Sequence, residues 1–375
     1  MNKHTCQKVI KFLPTIFALA SAFSVTACRR ADASTTRQTT EAKIQASKNN
    51  ETFEITINTE KYNTSYKPSE NKNSPSDNLT TPESPLIYET EKAAEISPTE
   101  TTPESSSKAY IDLKSKNGYT DGAEIGLNSK WKYSEFSEIN SGKAKMYLAK
   151  SGRKNKIIGV NAGHGTKGGT NVETYCHPDK TPKVTGGTTS AGATKAVAVS
   201  SGMTFKDGIK ESEITLKAAQ LLRDRLLSEG YDVLMLRDDT DVQLDNIART
   251  VICNNTADCH ISLHWDGDGL NYDKGCFYMS VPDGIKYLDS VKSSWQQSEA
   301  LGEHLINGLE DQGMKIWKNR SLDMDLTQTS YSFIPSIDIE LGNQSSDHSE
   351  AQLKKQVEGL VNGINSFYGF TRELE

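Results

Sequence analysis

The stretch KIIGVNAGHGTKGG, residues 156–169, limits the fold most. Ile157, Ile158, Gly159 and Val160 make a short apolar run, the pattern of a buried strand. The run stops at Asn161, Ala162 and Gly163, and His164 follows between two glycines. A buried strand with that ending sets an imidazole at the carboxyl edge of a sheet, where open α/β sheets bind ligands. The flanking glycines let backbone and ligand approach closely. Taken alone, GHG is better explained by a loop histidine with no role, so the rest of the chain has to decide.

From residue 154 to residue 370 the patterns alternate. Residues 211–230 read as a helix stopped by Gly230, 231–236 as a strand, and 241–254 as a helix. Strands follow at 259–265 and 277–281, then a helix at 293–312 ending at Gly313. A strand at 336–341 and a closing helix at 350–367 complete the series. This order predicts a single α/β domain with a central, mostly parallel sheet flanked by helices on both faces. Residues 166–208, rich in Gly, Thr and Ser, interrupt it as a long loop. Such a loop suits a mobile cover over a substrate cleft better than a packed layer.

The first 153 residues read differently. Residues 1–28 have a basic start (Lys3, His4, Lys8, Lys11) and an apolar stretch at 12–27, the form of an export signal. The stretch is too short and too soon interrupted for a permanent span. It ends Val25-Thr26-Ala27-Cys28, small residues before a cysteine, as in the bacterial lipobox. Cys28 is then expected to carry lipid and to anchor the protein on the outer side of the membrane; cleavage as an ordinary secreted protein is the alternative. Residues 29–108 are dominated by Thr, Ser, Asn, Glu and Lys and cannot bury enough surface to order themselves. They are expected to form a disordered tether of about 80 residues with an r.m.s. span of roughly 50 Å. Residues 109–153 are transitional, with a strand or two leading into the domain or forming a small module.

The net charge of −6 points to no nucleic-acid partner. Beyond Cys6 and Cys28, the cysteines are Cys176, Cys253, Cys259 and Cys276. An oxidising compartment allows them to pair, although spacing assigns no pairing. None shows CxxC spacing, which speaks against a cysteine-based zinc site.

Four residues carry the candidate chemistry. His264 closes the strand HISLHW as His164 closes its own, so a parallel sheet brings both to one edge. Glu211 and Glu213 both open the helix at 211–230. The apolar stripe of that helix is Ile214, Ala218, Leu221 and Leu222. At 100° per residue Glu211 falls within about 40° of the stripe's centre, and Glu213 more than about 100° away. Glu211 is thus the inward carboxylate, costly to bury unless paired or metal-bound. Glu340 ends the strand SIDIEL, with Asp338 on its face and Ile337, Ile339 and Leu341 on the other. Two histidines and a glutamate make a known zinc set that leaves a position open for water. A further carboxylate can serve as general base. Metal ligands His164, Glu211 and His264 with Glu340 as base fill those roles.

The motifs NAGHG (161–165), KESEITL (210–216), SLHWD (262–266) and IELGN (339–343), in that order, resemble those of the zinc-dependent N-acetylmuramoyl-L-alanine amidases of type 3. Arg237 and Arg249 stand where that family usually has arginine. The resemblance covers residues 154–370. It implies a single α/β domain and peptidoglycan as substrate. It also implies hydrolysis of the bond between N-acetylmuramic acid and L-alanine by zinc-activated water. The long loop after His164, SLHWD in place of the common SIHAN, and Asp338 in place of an apolar residue depart from the family pattern and bear on substrate preference. Two other readings stay open: a zinc peptidase cutting stem-peptide bonds, and a lipoprotein that binds the wall without cutting it. Nothing in the sequence identifies a protein activator.

Overall fold

The computed structural model describes the backbone of residues 40–44 and 55–59 and, in full, residues 113–370. Contacts divide the chain into two compact units, 1–102 and 103–375. In the first, β1 (Thr40–Ile44) pairs antiparallel with β2 (Ile55–Thr59). β2 is ITINT, β-branched at every position but Asn58, which favours a strand even within a segment read as a tether. The export signal, Cys28 and most of the tether lie outside the described residues.

The second unit opens with β3 (Glu124–Ile125), β4 (Ala144–Tyr147) and β5 (Ile157–Ala162). A small ribbon of β6 (Glu173–Tyr175) and β7 (Lys195–Val197) follows, then α1 (Glu211–Ser228) and β8 (Asp232–Met235). Next come α2 (Asn246–Thr256), β9 (Cys259–Asp266), β10 (Cys276–Ser280) and α3 (Trp295–Asp311). The chain closes with β11 (Ile316–Asp323), the short α4 (Thr327–Ser330), β12 (Ser336–Asn343) and α5 (Glu350–Phe367).

Eight strands form one sheet in the order β11-β10-β12-β9-β5-β8-β4-β3. Its centre, β12-β9-β5-β8, is parallel. β10 runs antiparallel to β12, and β4 antiparallel to β8. β3 and β4, from the transitional segment, are therefore part of the sheet, and Ile125, Ala144, Met146 and Leu148 join the core beneath α2. The larger core lies on the opposite face, under α1, α3 and α5. Leu222 and Leu226 of α1 are fully buried there, each contributing about 1.5–3 kcal/mol.

Alternation along β9 sorts its chemistry. Cys259, Ile261, Leu263 and Trp265 enter the larger core, which leaves His260, Ser262 and His264 on the other face. Register then aligns Asp338 with Ser262 and Glu340 with His264. Cys176, Cys253, Cys259 and Cys276 are all free and buried, packing as small apolar side chains.

Two elements depart from expectation. The helix expected from residue 241 begins at Asn246, because the carboxylate of Asp245 caps it by accepting from the Ala248 amide. The edge strand β11 was not legible, since IWKNRSLD shows no clean alternation and none of its residues is buried.

Candidate metal centre

The site grows from the turn after β5. His164 adopts a positive φ of 66°, a conformation that costs a non-glycine residue about 1–2 kcal/mol. Two buried arginines hold it there. Arg237 donates through Nε to the carbonyl of Ala162 (3.1 Å) and through Nη2 to that of Gly163 (3.0 Å). Arg249 donates through Nη1 to the Ala162 carbonyl (3.1 Å) and through Nη2 to the His164 carbonyl (2.7 Å). Burial pulls Arg237 down to about 10 and, with Arg237 as a neighbouring cation, Arg249 to about 9. Both remain charged at neutral pH and bind the carbonyl ends of the sheet rather than a carboxylate.

Three side chains converge above this turn. His164 Nε2 lies 2.8 Å from Glu211 Oε1, and His264 Nδ1 lies 3.1 Å from both of those atoms. One donor atom from each residue falls within 4.8 Å of the others. Glu211 is buried and Glu213 exposed, as the helical-face argument requires. A Cβ on Gly163 would stand 2.3 Å from His264 Cε1, and one on Gly202 2.8 Å from Glu211 Oε2, so both positions admit only glycine.

The outward edges of both rings are occupied. His164 Nδ1 lies 2.8 Å from the Ser200 carbonyl, which makes it the protonated nitrogen and leaves Nε2 bare. His264 Nε2 faces Ser262 Oγ at 3.1 Å and Asp338 Oδ2 at 3.5 Å, which favours a proton there and a bare Nδ1. Glu211 accepts from the Met203 amide through Oε2 (2.9 Å) and from the Trp265 amide through Oε1 (3.1 Å). Two imidazole lone pairs and a carboxylate thus meet at one point, an arrangement that repels itself unless a cation sits among them. The donor set fits a divalent metal that takes nitrogen and oxygen ligands.

Protons on the two facing ring nitrogens relieve that repulsion as a metal would. Burial raises the Glu211 pKa, but hydrogen bonds from the protonated rings of His164 and His264 outweigh it and hold the carboxyl far below the ordinary range. Burial lowers His264, while Asp338 and then Glu211 overcome this and raise it. Glu340 is pushed well above its usual value by burial, then by Asp338 and Glu211. Glu340 Oε2 and Asp338 Oδ1 are buried without a hydrogen-bond partner. Asp338 faces His264, and neither Arg237 nor Arg249 pairs with it.

A cleft of about 610 Å³ opens over these groups. One wall comes from residues 166–208, the segment expected to shape the cleft. Parts of it are packed: Cys176, His177, Ala196, Ala198 and Val199 are buried, while most of the rest is exposed or half-buried. His177 Nε2 lies 2.9 Å from Asp325 Oδ2, and the Val184 amide donates to the same oxygen at 2.7 Å. Its burial rests on small residues and polar bonds, which leave no apolar period to read. Asp325, Ser200 and Ser262 were missed for the same reason, although Ser262 is legible in retrospect two residues before His264 on the same strand face.

Residues 158–364 match the family described as N-acetylmuramoyl-L-alanine amidase, type 3. The chain belongs to that family. The amidase is accordingly a peptidoglycan hydrolase that cleaves the amide bond between N-acetylmuramic acid and L-alanine. Among solved structures, the amidase is similar to the N-acetylmuramyl-L-alanine amidase Ami1 of Mycobacterium smegmatis. That match has 17% identity and a TM-score of 0.48, covering 57% of this chain and 97% of the other. Ami1 of Mycobacterium abscessus matches at 18% identity and a TM-score of 0.47, covering 58% and 99%. The CwlD amidase of Clostridioides difficile, solved in complex with the GerS lipoprotein, matches at 19% identity and a TM-score of 0.42, covering 57% and 98%. No curated protein matches the sequence.

Proposed function

We propose that the amidase works with a zinc ion held by His164, Glu211 and His264, and that Glu340 is its general base. The observation that carries the reading is the convergence of three donor atoms within 4.8 Å beside a buried carboxylate oxygen with no partner. When bound, zinc supplies a water of pKa about 7 and polarises a carbonyl. The remaining steps belong to the chain. The cleft seats the muramoyl–alanine amide with its carbonyl carbon over the three ligands. Glu340 takes a proton from the attacking water as oxygen bonds to that carbon. The same carboxyl then gives the proton to the departing nitrogen of L-alanine, and the C–N bond breaks. Asp338 raises the proton affinity of Glu340, whereas a cation at the three ligands lowers it.

The proposal extends to location. The basic start, the apolar stretch and VTAC at 25–28 support lipid attachment at Cys28 and a catalytic domain tethered outside the membrane, acting on the wall. Among the described residues no helix is long and apolar enough to cross a membrane. Product analysis of a wall digest tests the activity. The expected products are free muramic lactyl groups and new L-alanine amino termini, abolished by a chelator and restored by zinc. A new terminus elsewhere in the stem would make the chain a peptidase, and no cleavage would make it a binder.

A further inference from the structure

Lys183 stands on the wall of the cleft built by residues 166–208. It is 8% exposed. Its ammonium donates to the main-chain carbonyl of Asp325, a neutral acceptor. No carboxylate of the described residues forms an ion pair with it. The neighbouring Asp325 carboxylate is already occupied by His177 Nε2 (2.9 Å), the Val184 amide (2.7 Å) and Ser330 Oγ (3.3 Å). An ammonium has three protons to donate, and the nearby Asp325 carboxylate acts on it only through space and is shared with His177.

Two other partly buried cations of this unit pair with carboxylates instead: Arg153 with Asp232 at 2.5 Å and Lys274 with Asp266 at 2.6 Å. Arg249, the other lysine or arginine lining the cleft, is fully buried, and its fork is spent on the turn after β5. The carboxylates of the cleft, Glu211, Asp266, Asp338 and Glu340, come from the start of α1, the end of β9 and the middle of β12. One lysine of the inserted wall, with no ion-pair partner of its own and a counter-charge shared with His177, therefore lines the cleft that Thr188 and Thr189 also line.

We infer that Lys183 is a subsite for a carboxylate of the peptide that leaves with L-alanine. The inference rests on the amidase reading and names what that cleft selects: acidic stem peptides over amidated ones. Two carboxylates of such a peptide could supply the charge, that of a glutamyl residue next to L-alanine and that of the C-terminus. The test compares three N-acetylmuramoyl peptides: one with both carboxylates free, one amidated at the glutamyl residue, and one amidated at the C-terminus. With the zinc-loaded full chain, one amidated substrate is expected to lose about tenfold or more in kcat/KM, through KM, and it identifies the carboxylate bound. Lys183→Gln keeps a donor for the Asp325 carbonyl but no charge, and it should erase this preference while zinc content stays at the wild-type level. Lys183→Arg should retain it, and Lys183→Met replaces the Gln variant should that not fold. Equal kcat/KM for all three substrates in the wild type, or a preference that survives in Lys183→Gln, would overturn the inference. A wild-type enzyme that cleaves none of them defeats the amidase reading instead. Calorimetric titration with the free peptides in acid and amide forms then decides: tenfold discrimination in Kd supports the subsite, and equal Kd values reject it.

Discussion

Asp338 Oδ2 lies 3.5 Å from Nε2 of His264, on the ring edge opposite the nitrogen that faces Glu211. A carboxylate behind a ligating imidazole fixes its tautomer and raises its basicity, and removing such a partner weakens metal binding by about 10–100-fold. Asp338→Asn is therefore expected to lower zinc affinity by that order in a competition titration with a chelator. Ser262→Ala, which removes the neutral neighbour of the same nitrogen at 3.1 Å, should do less. Wild-type zinc affinity in Asp338→Asn would remove Asp338 from the support of His264.

Arg249 is expected to matter more for the turn than its distance from the chemistry implies. Arg249→Met would strip the donor from the His164 carbonyl and from Asn161 Oδ1, both in a buried region, while the Ala162 carbonyl keeps Arg237. At about 1–3 kcal/mol for each buried acceptor left unsatisfied, a loss of about 2 kcal/mol or more is expected, seen as a lower denaturation midpoint. Zinc should dissociate more readily too, because His164 loses the bond that holds its backbone at positive φ. Arg249→Lys keeps charge but not the fork, and should rescue little. A fully stable, zinc-replete Arg249→Met protein would show that Arg237 alone suffices.

Much of this site was legible before any coordinates, and the reason is periodicity. Glu211 separates from Glu213 because a helix turns 100° per residue, and Ile214, Ala218 and Leu222 are indeed buried beside it. His264 and Ser262 share a face because strands alternate, with Leu263 and Trp265 taking the core. Where no period exists, the reading fails. Asp325 meets His177 across 148 positions, and neither residue lies in a patterned element. The inserted wall reads as an unpatterned loop because Gly, Thr and Ser are turn residues, and the points at which it is pinned are such distant polar bonds. The close approach at Gly202 depends on three-dimensional crowding that no window of sequence contains.

Acid should weaken one clasp of the fold in a defined window. Burial raises the Glu229 pKa, but its bonds to Arg225 and Lys154 outweigh this and bring it down from 4.5 to about 2. A pKa depressed on folding gives stability that is present above the unfolded value and lost as pH falls through the folded value. The melting temperature of Glu229→Gln should lie below wild type at pH 5 and above. The gap should close between about pH 4.5 and 2. A gap that does not change with pH over that range would mean the carboxylate contributes only hydrogen bonds.

Cys28 is open to a direct test. With VTAC as a processing site, Cys28→Ala should move the protein from the membrane fraction to the soluble fraction and leave the wall-digest products unchanged. The catalytic residues lie more than a hundred positions away, beyond a stretch of Thr, Ser and Asn. Membrane retention unchanged by the substitution would reject lipid attachment at this cysteine.

Glu340 separates metal binding from catalysis. Its carboxylate is buried, aligned in register with His264, and has one oxygen without a partner. No hydrogen bond of the fold ends on that oxygen, so a glutamine there breaks none and relieves repulsion with Asp338 and Glu211. Glu340→Gln is therefore expected to fold at least as stably as wild type and to keep its zinc. A primary amide cannot take the proton from water, so kcat should fall by about 10²-fold or more, within the usual 10²–10⁴ for general acid–base catalysis. Substrate binding should persist, because the cleft and its walls are untouched, and labelled wall fragments should co-sediment with the inactive protein. His164→Ala should show the reverse pattern, losing zinc and activity together. If Glu340→Gln turned over at near-normal rates with zinc bound, the base would have to be another cleft carboxylate, and Asp338, on the same strand face two residues earlier, is the one to test next.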